Sequence, residues 1–260
     1  DPVHGTRLVN QLQTELADLC RQQRLEEKWL VAPSRRVGYQ WLDAVARGGQ
    51  SVVNVRIKTL RSMAVDLAAL SMAERELTLV SPLGGAFLMD RTLTRLHPDA
   101  LQYLTVTTDN RGLGETVLAS LEALRLAGLD VGQLDGSNLE VPLKVSDLRT
   151  IAADYLAGLA SEQLIDYPGA LRLAIDRLAS NPGSLGEGIV VIFPNDLHLH
   201  GLERQFVEAI PSVQRCPLAT DGVATAATEK SAATDLERLR WLPAPDAAPQ
   251  RLDDGTAVIV

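Results

Sequence analysis

Cysteine is scarce in this chain, and long apolar runs are missing. The two cysteines, Cys20 and Cys216, are too few for a disulfide framework or a cysteine-rich zinc site, so we expect reduced, buried thiols in a cytoplasmic protein. The longest apolar runs, such as residues 189–193, are far shorter than the roughly 20 residues of a membrane span. The opening residues lack the basic-then-apolar pattern of a secretion signal. The sequence therefore predicts neither secretion nor a membrane partner.

An excess of positive charge is also missing, because 33 acidic residues outnumber 25 lysines and arginines and give a formal charge of −8. This balance argues against a broad surface that coats nucleic acid, but it is compatible with a local basic groove. The apolar content of 46% and the charged content of 22% exclude disordered and fibrous classes. Because the chain starts at Asp1 and stops inside an apparent strand at residues 256–260, we expect a piece of a longer protein.

The opening segment alternates helical and strand patterns. A helical pattern at 7–24 precedes an apolar strand at 29–32, and Ser34 is a suitable N-cap for the next helix. Residues 51–58 alternate apolar and polar side chains, as a strand with one exposed face does, and another helix starts at Thr59. Two strands that are each followed by a helix imply parallel pairing. This segment therefore predicts part of an α/β sheet.

The strand pattern fades after residue 80 and returns near residue 188. Helices are predicted at 83–96, 113–127, 145–159 and 168–179, then a strand at 188–193, a helix at 201–210, a strand at 213–218 and a helix at 233–241. The predicted domains are a discontinuous α/β domain over 1–80 plus 188–225, a helical insertion over 81–187, and a linker with the start of a next domain over 226–260.

A parallel sheet with a helical insertion is compatible with a nucleotide-hydrolysing motor, but the groups that such a motor needs are missing. A P-loop places a lysine in a glycine-rich turn between a strand and a helix, and none of Lys28, Lys58, Lys144 and Lys230 lies in such a turn. The strand at 188–193 is followed by Pro-Asn-Asp instead of the acidic pair that holds magnesium and orients water. We therefore predict no ATP hydrolysis, no catalytic residue and no cofactor.

Asp196, His198 and His200 form a cluster of metal-ligand residue types. Two histidines two positions apart on a loop could share a metal ion with a carboxylate. Residues in this pattern are far more often a turn that leads into a helix, here the one at 201–210. We favour the turn and expect no metal site, and we keep a metal-dependent enzyme as the weakest hypothesis.

Basic and hydroxyl side chains follow the first two predicted strands. The carboxyl ends of parallel strands lie at one edge of a sheet, where α/β proteins bind ligands, so these side chains could converge on a phosphate backbone. The alternative is ordinary solvated surface at helix starts and strand edges. The candidate DNA-binding residues are Ser34, Arg35, Arg36, Arg56, Lys58, Thr59 and Arg61.

Two segments stand out in the order of strands and helices described above. They are Lys28-Trp-Leu-Val-Ala-Pro-Ser34 and Val53-Asn-Val-Arg-Ile-Lys-Thr-Leu-Arg-Ser-Met-Ala64. Together they resemble the opening of the AddB and RecC group of helicase–nuclease subunits. Residues 114–129 are similar to the family's helical subdomain, and residues 188–210 are similar to its degenerate Walker B strand and the next helix. The resemblance implies a P-loop-NTPase-like α/β fold of the superfamily 1 helicase 1A type, with a mostly helical 1B-like insertion. It also implies a PD-(D/E)XK nuclease part outside this chain.

The resemblance implies roles for single residues as well. Ala32-Pro33-Ser34 stands at the motif Ia loop, and Thr59 stands at the strand-end threonine that approaches single-stranded DNA. His4-Gly5-Thr6 stands where an active relative carries its phosphate loop, which implies a non-hydrolysing role in DNA repair. We expect the chain to hold or guide DNA, weakly and in single-stranded form, and to dock a helicase–nuclease partner subunit. A structural protein-interaction module without DNA contact is the alternative.

Overall fold

A four-stranded parallel sheet organises the part of the chain that the structure describes. The structure is a computed structural model, and it describes residues 11–97, 100–105, 112–136 and 141–220. The strands are β1 (Glu27–Val31), β2 (Val55–Lys58), β3 (Thr78–Leu79), β4 (Leu164–Ile165), β5 (Ile189–Pro194) and β6 (Arg215–Leu218). The main sheet has the order β2-β1-β5-β6, with all neighbours parallel. The predicted α/β class and parallel pairing are confirmed.

The helices lie close to their predicted positions. They are α1 (Gln11–Gln22), α2 (Arg35–Arg47), α3 (Leu60–Glu74), α4 (Pro82–Arg95), α5 (Leu113–Leu126), α6 (Pro142–Ser161), α7 (Tyr167–Ser180) and α8 (Gly201–Ala209). Within the described ranges, none of these helices is long and apolar enough to cross a membrane. The predictions for residues 4–6, 233–241 and 256–260 lie outside the described residues.

Helices cover both faces of the sheet, as the nearly continuous apolar sequence of its central strands requires. On one face, Trp29, Val31 and Val191 pack against α3, α7 and α8. On the other face, Leu30 and Ile192 pack against α1 and α2. Successive residues of β1 therefore face opposite sides of the sheet and pack into different cores, as the two-residue period of an extended strand requires.

Side-chain caps determine where α2 and α3 begin. The Ser34 hydroxyl oxygen accepts the Val37 N–H at 3.3 Å. Thr59 Oγ1 accepts the Ser62 N–H at 3.1 Å, and Ser62 Oγ accepts the Thr59 N–H at 2.9 Å, which is a reciprocal capping box. Both helices start directly beyond the strands that precede them, so their first turns lie at the carboxyl edge of the sheet.

The helical insertion has a core of its own. Helices α4, α5 and α6 pack around buried side chains that include Leu121 and Tyr155. Helix α7 lies within the predicted insertion range 81–187, but its Leu171 and Leu178 pack into the core beneath the sheet together with α3. Strands β3 and β4 pair in parallel between the sheet unit and the insertion. Two-residue strands are too short to leave an alternating pattern, which is why the sequence does not reveal them.

The insertion also contacts the sheet unit where α5 ends and α8 begins. Gly201 approaches Ala127 so closely that a Cβ atom at Gly201 would collide with the Ala127 carbonyl oxygen. Gly128 has a φ of +89°, a left-handed conformation that glycine adopts without strain and that ends α5. Glycine at 201 therefore permits the close backbone approach, and glycine at 128 permits the left-handed turn that precedes it.

A buried carboxylate anchors the segment that follows α4. Asp147 on α6 is fully buried and accepts the backbone N–H groups of Gln102, Tyr103 and Leu104, each at 2.8 Å. Three donors aimed at one carboxylate compensate for its removal from water. This arrangement holds residues 101–105 against α6.

Asp147→Asn is expected to destabilise the protein by about 1–3 kcal/mol, because one carboxylate oxygen becomes an NH2 group that faces backbone donors. Urea unfolding followed by circular dichroism should show a lower midpoint with an unchanged slope. Asp154→Asn is the matched control on the same helix, since Asp154 has no hydrogen bond or ion pair with a described residue. Equal midpoints for the two variants would contradict the anchoring role of Asp147.

Candidate functional site

The strand order reverses between β1 and β5. The chain passes from β1 to β2 on one side and from β5 to β6 on the other. In open parallel sheets, ligands bind outside the carboxyl ends of the strands at such a reversal. A cleft of about 680 Å³ lies there and is lined by residues that follow all four strands of the main sheet. The topology and the cavity therefore indicate the same place.

Thr59 and Arg61 are the predicted site residues that line this cleft. Because Thr59 Oγ1 accepts the Ser62 N–H, its own O–H remains available to a ligand acceptor. The Arg61 guanidinium lies over the Tyr167 ring, with 5.3 Å between its central carbon and the ring centroid. Arg61 makes no ion pair with a described residue, so its charge faces the cleft without a carboxylate partner.

Arg35 and Arg36 follow the loop that lines the cleft on its β1 side. They form the first turn of α2, directly after Pro33, which lines the cleft, and Ser34, which caps the helix. Both arginines are exposed, and neither forms an ion pair with any residue in the described ranges. The first turn of α2 therefore adds two exposed cationic residues next in sequence to the cleft lining.

Arg56 and Lys58 are not in the lining of the cleft and form intrachain ion pairs instead. Arg56 Nε lies 3.1 Å from a carboxylate oxygen of Glu27, which begins β1 at the opposite edge of the sheet. The Lys58 ammonium pairs with Asp66 on α3 and lies 4.9 Å from the centre of the Trp29 ring. Strand residues alternate between faces, so both side chains extend over the α3 face and find partners there.

One wall of the cleft is a hydrogen-bonded pair. The Tyr167 hydroxyl donates to Glu203 Oε1 at 2.8 Å, and Glu203 Oε2 accepts the His200 N–H at 3.0 Å at the start of α8. Burial, and then the Glu203 carboxylate, raise the pKa of Tyr167 far above its ordinary value, so the phenol remains a neutral donor. This wall is therefore rigid and uncharged on the tyrosine side.

Asp196 and His198 also line the cleft, and both are exposed. His198 Nδ1 lies 3.4 Å from the Asp196 carbonyl oxygen, which is the geometry of a local turn. Over the ranges that the structure describes, no three His, Cys, Asp or Glu side chains lie close enough to share a metal ion. The metal-dependent alternative has no ligand set among those residues.

Asn195 occupies the position directly after β5, where a magnesium-binding acid would stand. Its side-chain oxygen accepts the Thr220 hydroxyl at 2.8 Å and the Thr220 N–H at 3.2 Å. Its own N–H donates to the Leu218 carbonyl at 2.9 Å. The Asn195 side chain therefore ties the ends of β5 and β6 together.

A buried ion pair connects the insertion with the wall of the cleft. Arg125 on α5 donates to both oxygens of Asp166, with 3.1 Å between Nη2 and Oδ1, and the two side chains are only 9% and 2% exposed. Asp166 Oδ1 also accepts the Gly169 N–H at 3.0 Å and so caps α7. Tyr167 is the first residue of that helix. The position of the tyrosine therefore depends on the ion pair.

A second groove, of about 420 Å³, also has Arg61 and Tyr167 in its wall. It contains Glu122, a half-buried residue of α5 that has no hydrogen bond or ion pair with a described residue. Burial, and then the charge of Asp166, raise the pKa of Glu122, while Arg61 and Arg125 oppose the shift. Glu122 is thus a carboxylate that the fold leaves without a direct partner among the residues described.

Sequence patterns do not reveal Tyr167, Glu203 or Thr220 as parts of the cleft. Tyr167 and Glu203 are 36 positions apart, and Thr220 follows the last described strand. The single local signal is the Asp-Tyr-Pro start of α7, which indicates a helix cap and says nothing about a site. These residues meet through packing alone.

The fold and the cleft define the chain as an α/β protein with a ligand-sized opening at the carboxyl edge of a parallel sheet. Comparison with models of known protein families and with curated proteins finds no match.

Arg125→Met is expected to cost about 3–5 kcal/mol of unfolding free energy, because it leaves Asp166 buried without its cation. Arg91→Met is the matched control: Arg91 and Glu162 also link two helices, but their side chains are 36% and 41% exposed, and such pairs contribute at most about 1 kcal/mol. Urea unfolding measures both variants. Similar costs for the two would contradict the structural importance of the buried pair.

Glu122→Gln is expected to stabilise the protein at neutral pH. A carboxyl group with a raised pKa binds its proton more tightly in the folded state, so stability falls as pH rises from the ordinary value of 4.5 through the folded value. The variant should therefore melt at a higher temperature at neutral pH and show a flatter dependence on pH in that window. Glu208→Gln, an exposed change on α8, should leave the profile unaltered. A lower melting temperature for Glu122→Gln would show that the carboxylate is paired in the free protein.

Proposed function

We propose that this chain is a helicase-like α/β domain of the superfamily 1 type that does not hydrolyse ATP, from a DNA-repair helicase–nuclease protein of the AddB and RecC kind. It holds or guides a DNA strand at the cleft and docks a motor partner. The observation that carries the proposal is the cleft at the strand-order reversal, where the Ala32-Pro33 loop and the Thr59–Arg61 turn share one opening.

The side chains around the cleft suit a single strand. Arg61 in the cleft and the exposed Arg35 and Arg36 in the first turn of α2 are cations for phosphate oxygens, and Thr59 adds a hydroxyl donor. Trp41 also lines the cleft and is partly exposed, so one base could stack on its ring. The carboxylate of Asp196 reduces the positive field, which favours weak binding.

The groups at the ends of the strands support the proposed lack of ATP hydrolysis. Asn195 has no negative charge for magnesium, and its amide oxygen is occupied by Thr220. Lys58 is held by Asp66, and Lys28 is buried with its ammonium bonded to the Glu26 carbonyl at 2.7 Å. Both lysines are therefore engaged with intrachain partners.

A structural interaction module without DNA contact is the second candidate. It is favoured by the formal charge of −8 and by the intrachain pairing of Arg56 and Lys58. The exposed Leu83 and Phe87 on α4 also suit a protein surface better than a nucleic-acid surface. Both functions can belong to one subunit.

Fluorescence anisotropy of a labelled oligothymidylate in a salt series tests the DNA contact. Arg61→Ala is expected to weaken binding about fivefold and to lower the slope of log affinity against log salt by about 0.7, the share of one phosphate contact on a single strand. The double change Arg35→Ala with Arg36→Ala should lower the slope by about twice that amount. Arg47→Ala, at the far end of α2 and paired with Asp43, is the matched control.

Absence of binding at low salt, or equal behaviour of the Arg61 and Arg47 variants, would remove the DNA contact and leave the interaction module. Isothermal titration calorimetry with magnesium and ATP should show no heat of binding. A magnesium-dependent uptake of ATP would contradict the non-hydrolysing part of the proposal.

A further inference from the structure

The groove between α4 and α5 exposes apolar surface that a folded chain would ordinarily cover. Leu83 lines the groove and is 81% exposed. Phe87, one turn further along α4, is 69% exposed. Ala86 and Leu118 continue the apolar lining between the two helices. The groove can therefore receive aliphatic side chains.

One face of α5 adds carboxylates to the same groove. Glu115, Ala119 and Glu122 follow each other at helical spacing, and all three line it. Neither glutamate makes a hydrogen bond or an ion pair with a residue of the described ranges. The acidic face of α5 is thus without a direct cation partner in that part of the chain.

The other charges of the groove do not supply that cation. Asp166 is neutralised by Arg125, which is bonded to both of its oxygens. Arg61 is stacked on Tyr167 and makes no ion pair with Glu122. The half-buried carboxylate of Glu122 is a cost to the free protein that a bound cation would offset.

We infer that this groove docks a segment of a partner protein that carries an arginine or lysine beside an aliphatic side chain. The cation lies between Glu115 and Glu122, and the aliphatic side chain packs on Leu83. Charge complementarity selects this occupant, because two carboxylates repel a phosphate backbone and attract a basic peptide. This inference rests on the partner-docking half of the proposed function and adds the chemistry of the partner segment. It does not depend on DNA binding.

Fluorescein-labelled peptides test this docking site in the full chain. The probe is Gly-Ser-Leu-Arg-Leu-Ser-Gly-amide, and its twin carries citrulline, which has the shape of arginine without the charge. Anisotropy at low salt should show the arginine peptide binding about tenfold more tightly than its twin. Raising the salt concentration should reduce this difference.

Three variants locate the probe. Glu122→Gln should reduce the affinity for the arginine peptide about tenfold, to the level of the citrulline twin. Leu83→Ser should weaken both peptides, and because Leu83 is 81% exposed the variant should keep the fold. Glu208→Gln makes the same charge change on α8, away from the groove, and should leave both affinities unchanged.

Failure of the arginine peptide to bind, equal affinities for the two peptides, or full binding to Glu122→Gln would overturn the assignment. If the peptide does not bind and Glu122→Gln lowers the melting temperature, a segment of this chain occupies the groove instead. Self-association in sedimentation that Glu122→Gln abolishes would assign the groove to a second copy and equally overturn the proposal.

Titration of the same samples with the oligothymidylate separates the two halves of the proposed function. Loss of oligonucleotide binding with retained peptide selectivity would remove the nucleic-acid half alone. Retained oligonucleotide binding without peptide selectivity would contradict only the proposal that the groove docks a basic segment.

Discussion

The buried ion pair between Arg125 and Asp166 joins the helical insertion to the sheet unit, and the shape of the cleft depends on this connection. Two charges leave water only when each satisfies the other, so the pair tolerates little displacement. Asp166 also caps α7 and so determines where Tyr167 begins that helix. Arg61 lies over the tyrosine ring, and Glu203 accepts its hydroxyl. The helical insertion thus supports one wall of a cleft that belongs to the sheet.

Most polar groups around the cleft already form hydrogen bonds with one another. Thr59 exchanges hydrogen bonds with Ser62, and Asn195 bonds Thr220. These bonds make the strand ends rigid and leave few groups for a ligand. Arg61 is therefore a cation of the cleft that makes no ion pair with a described residue and remains available to a ligand. The groove on the other side of Arg61 is a second surface, with the opposite charge.

Prediction from the sequence succeeded where local physics decides. The helices α4 to α8 and the strands β1 and β5 have apolar periods that reflect the face each element buries, and Ser34 caps its helix through a residue three positions away. It did not reveal which partners the side chains at the strand ends find. Lys58 ends a strand, and its face of the sheet places it beside Asp66 on α3. The strands β3 and β4 have no sequence pattern of their own. They pair because the chain segments that precede α4 and follow α6 lie side by side.

The sequence by itself determined the α/β class and the alternation of strands and helices that implies parallel pairing. It also determined that no lysine is placed for a phosphate loop. These features depend on residue type and on neighbours a few positions apart. Only the tertiary structure decided which basic groups face the cleft, that Tyr167 and Glu203 form its wall, and that Glu122 lies in a groove without a direct partner in the described residues. The reason is that an ion pair such as Arg125 with Asp166 joins residues 41 positions apart. Such a contact forms only after the cores have packed, and no local pattern records it.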